Sequence, residues 1–177
     1  GTLFNYSNTP AFLLGLVIER VIGRSLDQVA HRALFEPLAM HTATFSPRGA
    51  VPTEDDVRDR VHDESASVFA REGKVVGHAG LFATGTDLLL FLADILKNND
   101  QRLCTNQIEH LGGYVGLGWE LNQEWMGTKR TVKTFGKTGF TGCSITVNFD
   151  AQKAVVILAN RTYPKRPEGR EAIDRFR

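Results

Sequence analysis

Hydrophobic and polar positions follow two regimes along the chain. From Ala11 to Ile22 apolar residues are dense, with Asn8, Thr9 and Pro10 ahead of them and Gly23 behind. A capping residue, a proline in the first turn and a terminal glycine are the punctuation of one helix. Apolar side chains occupy nearly every face of it, which predicts a helix buried on most sides within a domain larger than a two-layer minimum. Ser25-Leu26-Asp27-Gln28 predicts a capping box that opens a second helix to about Leu34, stopped near Pro37, so that the two form a helical hairpin. Periodicity then fails from Thr42 to Val76, where Pro47, Gly49, Pro52 and the acidic Glu54-Asp55-Asp56 predict a long loop over the surface with a solvated acidic face. Thr84 with Asp87 predicts the cap of a third helix, Asp87 to about Lys97, with a broad apolar face from Leu88 to Leu96.

After Gly112-Gly113 the period becomes two. Val115 to Leu121, Arg130 to Phe135, Cys143 to Phe149 and Ala154 to Asn160 predict four strands of an antiparallel meander, the last two joined by a tight turn at Asp150-Ala151-Gln152-Lys153. Pro167 to Arg177 predicts a charged final helix lying across the sheet. The order of elements predicts an α+β fold, an antiparallel sheet flanked by helices.

Composition narrows the function classes. The 177 residues are 42% hydrophobic and 23% charged with a formal charge of +1, which fits one globular domain and offers no positive field for nucleic acid or an anionic membrane. Cys104 and Cys143 are far apart, so neither a disulfide scaffold nor a cysteine zinc site is expected. His62, Asp63, Glu64 and His78 have no His-Glu-x-x-His spacing, and hydrogen bonding within a loop is the expectation for them; no metal or other cofactor is expected. No targeting signal or membrane span is read, and a chain that runs from Gly1 almost at once into a motif is expected to be one portion of a longer protein.

Two short motifs carry chemistry. Tyr6-Ser7-Asn8 stands where a loop enters the first helix, whose amino end carries partial positive charge. Lys137-Thr138-Gly139 leaves one strand and is followed by Phe140-Thr141-Gly142, which puts an ammonium where a substrate can lie along a sheet edge. Alone, the first reads as a packing tyrosine and an N-cap, and the second as a turn with a solvated lysine. Their order, the helix after the first and the hairpin after the second favour chemistry.

Together they resemble the penicillin-recognising serine hydrolases, in the branch of class C β-lactamases, D-alanyl-D-alanine peptidases and esterases, which share a Tyr-x-Asn and a Lys-Thr-Gly or His-Thr-Gly motif. Phe35-Glu36-Pro37-Leu38-Ala39-Met40, His62-Asp63-Glu64-Ser65-Ala66, Gly77-His78-Ala79-Gly80-Leu81-Phe82-Ala83-Thr84 and Asn160-Arg161-Thr162 add to the likeness. One feature of that family is missing. Its nucleophile is the serine of a Ser-x-x-Lys motif upstream of Tyr-x-Asn, and none of the six serines here has lysine three residues on. A serine hydroxyl is weak without a neighbouring base, so these residues hold a base and a cradle but no attacking group. The resemblance implies that residues 1–177 are the C-terminal portion of one β-lactamase-like domain.

The resemblance also implies roles. Tyr6 is general base or proton relay, and Asn8 bonds the absent lysine and the substrate amide. Lys137 and Thr138 hold a substrate carboxylate or ester, Gly139 permits close backbone approach, and the Phe140 N–H supplies half of an oxyanion hole. His62 and His78 lie at the rim and select substrate. The expected partners are a β-lactam, a muropeptide or an ester, together with the remaining N-terminal portion of the protein; the expected setting is the bacterial cell envelope or periplasm. Self-association is expected of the isolated chain through apolar surface on the helix from Ala11 to Ile22. A binding or regulatory module for peptidoglycan peptides that has lost its nucleophile is the alternative.

Overall fold

The computed structural model describes residues 2–166. The final helix expected from Pro167 to Arg177 lies outside them. The described residues divide into two compact units, one of Tyr6–Leu90 with Tyr163–Lys165, the other of Phe91–Thr162 with residues 2–5 and Arg166.

The Tyr6–Leu90 unit begins with α1, Thr9–Ile22, with proline in its first turn. Gly23 ends it at φ 71°, a left-handed conformation that glycine adopts without a Cβ clash, and donates its N–H to the Glu19 carbonyl at 2.8 Å. Helix α2, Leu26–Ala30, follows and widens into a π turn over His31–Phe35. The expected Ser25 cap does not form. Its hydroxyl makes no capping bond, and the free Leu26 N–H donates instead to Glu19 Oε1 at 2.7 Å, so a carboxylate from the preceding helix does the work of the cap.

Among the described residues α1 shows the apolar surface expected of the isolated chain. Gly15 is its buried residue, while Leu13, Leu14, Leu16, Val17, Val21 and Ile22 are all exposed. The stripe holding Phe12 and Gly15 docks, Gly15 facing both the Gly77 backbone and the Leu26 side chain.

The stretch from Thr42 to Val76 is also not the bare surface loop expected. It contains α3, Glu64–Arg71, and contributes Val61, Ala66 and Val76 to a small core against which Phe12, Phe69, Ala79 and Phe82 pack. Asp63 caps α3 by accepting the Ala66 N–H at 2.8 Å. Glu54 departs from the solvated acidic face expected of residues 54–56, since its side chain is 16% exposed and pairs with His62.

Helix α4, Gly85–Asn98, contains the boundary between the units. Thr84 and Asp87 form the expected reciprocal cap: the Asp87 N–H donates to Thr84 Oγ1 at 3.3 Å, and the Thr84 N–H to Asp87 Oδ2 at 3.1 Å. The Thr42 hydroxyl also donates to this carboxylate.

The second unit is built on an antiparallel sheet in the order β1 (Glu120–Leu121), β2 (Thr134–Thr138), β3 (Ser144–Asn148) and β4 (Lys153–Ile157). Its core gathers Leu92 and Ile95 of α4 with Leu121, Phe135, Val147 and Phe149. Trp119 packs edge-on against Phe135 at 5.3 Å, as a packing residue should. The meander is the one expected, with two corrected boundaries. Most of Val115–Leu121 is a tight turn closed by the Gly116 N–H on the Trp119 carbonyl, with Gly118 at φ 81°. Strand β2 starts later than expected and runs through Lys137 and Thr138. Gly136 does not break it but is required by it, because a Cβ there would lie 2.4 Å from the Ile145 carbonyl and 2.7 Å from the Trp125 ring.

Candidate active site

Each unit presents one group of the expected site residues. In the Tyr6–Leu90 unit, Tyr6 and Asn8 precede the first residue of α1, and Tyr6 is 64% exposed. Asn8 has helical backbone angles and its side chain makes no capping bond. A capping amide would have been committed to the helix; this one is not.

Behind the first turns of α1 lies a polar cluster built around a buried histidine ring. Gly77 packs against α1 so closely that a Cβ on it would meet the Ala11 carbonyl oxygen, and a Cβ on Gly15 would lie 3.3 Å from the Gly77 nitrogen. This contact delivers His78 to the edge of the Phe12 ring, at 6.2 Å between centroids, and Phe12 in turn packs on Phe69 of α3 at 5.2 Å. The His78 side chain is 4% exposed. Its Nε2 lies 2.8 Å from Ser65 Oγ and 3.3 Å from Asp63 Oδ1, while the Ser65 hydroxyl donates to the same Asp63 oxygen at 2.7 Å. Burial pushes the Asp63 carboxyl up, but the Ala66 amide, the Ser65 hydroxyl and His78 outweigh it and hold this acid below the usual carboxylate range.

His62 is held separately, its Nε2 3.0 Å from Glu54 Oε1. Thus both histidines expected at a substrate rim are largely buried and bound to carboxylates of their own unit. Sequence reasoning singled out the histidines without assigning them these partners. Asp63 carried the one usable signal, a capping residue ahead of Glu64-Ser65-Ala66, hidden because the surrounding stretch lacks periodicity.

Asp63, Ser65 and His78 are the residue types of a hydrolytic triad but not its geometry. In a triad the histidine uses one ring nitrogen for the serine and the other for the acid. Here one nitrogen faces both, and Nδ1 is buried with no partner among the described residues. Because the Asp63 carboxylate can only accept, the Ser65 hydroxyl donates to it and His78 Nε2 donates to Ser65, which makes Ser65 a donor to Asp63 rather than a nucleophile.

In the second unit, Lys137 and Thr138 are the last residues of β2, paired with Ile145 and Ser144 of β3. The strand leaves through a turn in which the Gly139 N–H donates to the Cys143 carbonyl at 2.8 Å and the Gly142 N–H to the Gly139 carbonyl at 3.1 Å. The Arg161 N–H ties the turn to the end of β4 by donating to the Thr141 carbonyl at 3.0 Å. Phe140, 40% exposed, lies at the tip, with the Arg166 guanidinium 5.1 Å from its ring centroid. Sequence reasoning missed the neighbours of Lys137. Glu120 Oε1 is 3.8 Å from Lys137 Nζ, and Glu120 Oε2 accepts the Trp125 indole N–H at 3.0 Å. No group of three or more potential ligands that could hold a metal ion occurs among the described residues. Burial pushes the Cys104 thiol up, which disfavours the reactive thiolate.

Comparison with known proteins gives this arrangement its context. A family model described as Beta-lactamase matches residues 1–176. A putative D-alanyl-D-alanine carboxypeptidase of Escherichia coli O157:H7 is 27% identical over 92% of this chain and 46% of its own length. An N-acetylmuramyl-L-alanine amidase of Bacillus subtilis is 27% identical over 92% of this chain and 45% of its own. The chain therefore spans about half the length of these relatives. Among solved structures, a β-lactamase of Mycobacterium bovis superposes with a TM-score of 0.65 at 23% identity, over 90% of this chain and 57% of that one. A simvastatin synthase of Aspergillus terreus gives 0.66 at 16% identity, over 93% and 52%. These two likenesses establish the fold.

Proposed function

The chain belongs to the Beta-lactamase family, and from that premise we propose that it supplies the base and substrate cradle of a serine hydrolase that cleaves an amide or ester through an acyl-serine. The observation that carries this reading is the ordered pair of motifs within a family match. An uncommitted Asn8 amide and an exposed Tyr6 phenol stand ahead of α1, and an ammonium, a hydroxyl and a glycine close β2. The nucleophile belongs to the part of the protein beyond these residues, since no serine here has lysine three positions on and Ser65 is committed to Asp63.

The serine hydroxyl attacks the substrate carbonyl while Tyr6 takes its proton. The oxyanion that forms accepts the Phe140 N–H and the N–H of the serine itself; one such donor is worth roughly 3–4 kcal/mol. Collapse breaks the carbonyl bond to the leaving amine or alcohol, which departs with the proton relayed by Tyr6. Water then adds to the acyl-serine, releases the acid and restores the hydroxyl. Lys137 and Thr138 hold a substrate carboxylate by charge and by hydroxyl donation, and Asn8 fixes the substrate amide. Relatives named as a D-alanyl-D-alanine carboxypeptidase and a muramyl-alanine amidase favour a peptidoglycan peptide over an ester, and with it a setting in the bacterial cell envelope. No helix among the described residues is long and apolar enough to cross a membrane.

The test uses the full-length protein with a fluorescent penicillin and a chromogenic ester. Labelling and turnover are expected in the wild type and lost in Tyr6→Phe and Lys137→Ala. Undiminished activity in both variants overturns the roles assigned, and binding of muropeptides with no labelling at all favours the regulatory module.

A further inference from the structure

We infer that Asp63, Ser65 and His78 are positioning residues that fix the amino end of α1, and through it Tyr6 and Asn8; this rests on the reading of those two residues given above. The chain of contacts is continuous within one unit. Asp63 caps α3 and receives the Ser65 hydroxyl, and Ser65 and Asp63 together hold His78 Nε2. His78 meets the edge of Phe12 in α1, whose N–H donates to the Asn8 carbonyl at 3.0 Å. Gly77, next to His78, lies against Ala11 and Gly15 at backbone distance. Contacts at Ala11, Phe12 and Gly15 therefore pin the stretch that begins at Asn8.

The need for such a device follows from the state of α1. Among the described residues the first turn of α1 rests on Ala11 and Phe12, and its N-cap side chain makes no capping bond. Phe12 is held between α3 and His78, and that single side chain sets the direction from which Tyr6 and Asn8 enter. The His78 ring gives shape on one side and a hydrogen-bond donor on the other. Catalytic groups misplaced by about 1 Å lose on the order of 10²-fold in rate, so loosening this contact slows the chemical step, while an ester without the amide that Asn8 would fix binds as before.

The experiment separates the two properties of His78 in the full-length protein. His78→Phe keeps a ring against Phe12 and removes the donor, leaving Asp63 and Ser65 without it. His78→Gln restores a donor near the position of Nε2. Acylation by the fluorescent penicillin and ester turnover are measured per folded molecule, with hydrogen exchange of the amides from Phe12 to Gly15 followed in parallel. In His78→Phe the acylation rate and kcat are expected to fall ~10- to 100-fold with KM for the ester nearly unchanged and faster exchange in the first turns of α1; His78→Gln is expected to recover most of the rate. Should His78→Phe fail to fold, Ser65→Ala, at an exposed hydroxyl, carries the same expectation in weaker form. Wild-type rates and wild-type exchange in these variants overturn the inference, as does a loss of rate matched by an equal loss in His78→Gln with unaltered exchange. If the wild type itself reacts with neither probe, the reading of Tyr6 and Asn8 fails, while the exchange measurement still decides whether this cluster fixes α1.

Discussion

Gly77 and Ala11 approach so closely that a Cβ on Gly77 would lie 2.4 Å from the Ala11 carbonyl oxygen. The glycine is needed for space, not for an unusual backbone angle, so Gly77→Ala forces the loop off α1. Overpacking of this kind costs about 1–3 kcal/mol, read as a lowered denaturant midpoint. Gly15→Ala, whose Cβ would meet the same loop at 3.3 Å, gains up to ~1 kcal/mol of helix propensity against a milder clash and is expected to be the gentler change. Equal effects from the two would show that the contact is not limiting.

Carboxylates that cap helices tie stability to acid pH. Burial pushes the Asp87 carboxyl up, but the Thr42 and Thr84 hydroxyls and amides prevail and hold it below its ordinary value. A depressed native value means the unfolded chain takes up the proton first. The stabilisation is therefore complete above the unfolded value of ~3.9 and is lost as the pH falls through the lower native value. Asp63 acts in the same sense. Asp87→Asn is expected to lower the neutral-pH stability by about 1 kcal/mol, the worth of a cap, and to flatten the acid limb. Urea midpoints across the acid range check this, and parallel limbs would contradict it.

How much of this could be read beforehand depended on whether the deciding interaction was local. Helices α1 and α4 were legible because their signals lie within a few residues: Pro10 and Gly23, Thr84 and Asp87. The cap at Ser25 was misread because Glu19, seven residues before Leu26 and in the preceding helix, takes the Leu26 amide. Helix α3 was missed because its eight residues bury Ala66 alone and show no apolar run. The strand expected to stop at Phe135 runs on to Thr138, through a glycine at 136 that the sheet needs to admit Trp125. In the candidate site, Tyr6, Asn8 and the Lys137-Thr138-Gly139 turn were visible as motifs. The carboxylate partners of His62 and His78, and Glu120 beside Lys137, were not, since a pairing across loops leaves no periodicity.

Leu14, Val17 and Val21 form an exposed stripe at helical spacing on α1, at 59%, 55% and 79% exposure. Such a face favours association. The 177-residue chain on its own is expected to sediment as more than a monomer at micromolar concentration, and Leu14→Gln with Val21→Lys to shift it toward monomer. A wild-type chain that stays monomeric throughout would refute this.

On the role proposed for Lys137, Glu120 would compete with the substrate for it. Their 3.8 Å pair is roughly a third exposed on each side, at 30% and 39%, so it is worth about 0–1 kcal/mol after solvent screening. Glu120→Gln keeps a carbonyl to accept the Trp125 indole N–H and removes only the charge. In the full-length protein this removes the competing charge beside Lys137, and KM for a D-alanyl peptide is expected to fall by up to ~5-fold, the equivalent of 1 kcal/mol. KM for an uncharged ester has no carboxylate to gain and is expected to stay constant. The two substrates measured side by side isolate the charge: if both KM values move together, or the peptide value rises, Lys137 does not hold the carboxylate, and its role in the cradle falls with it.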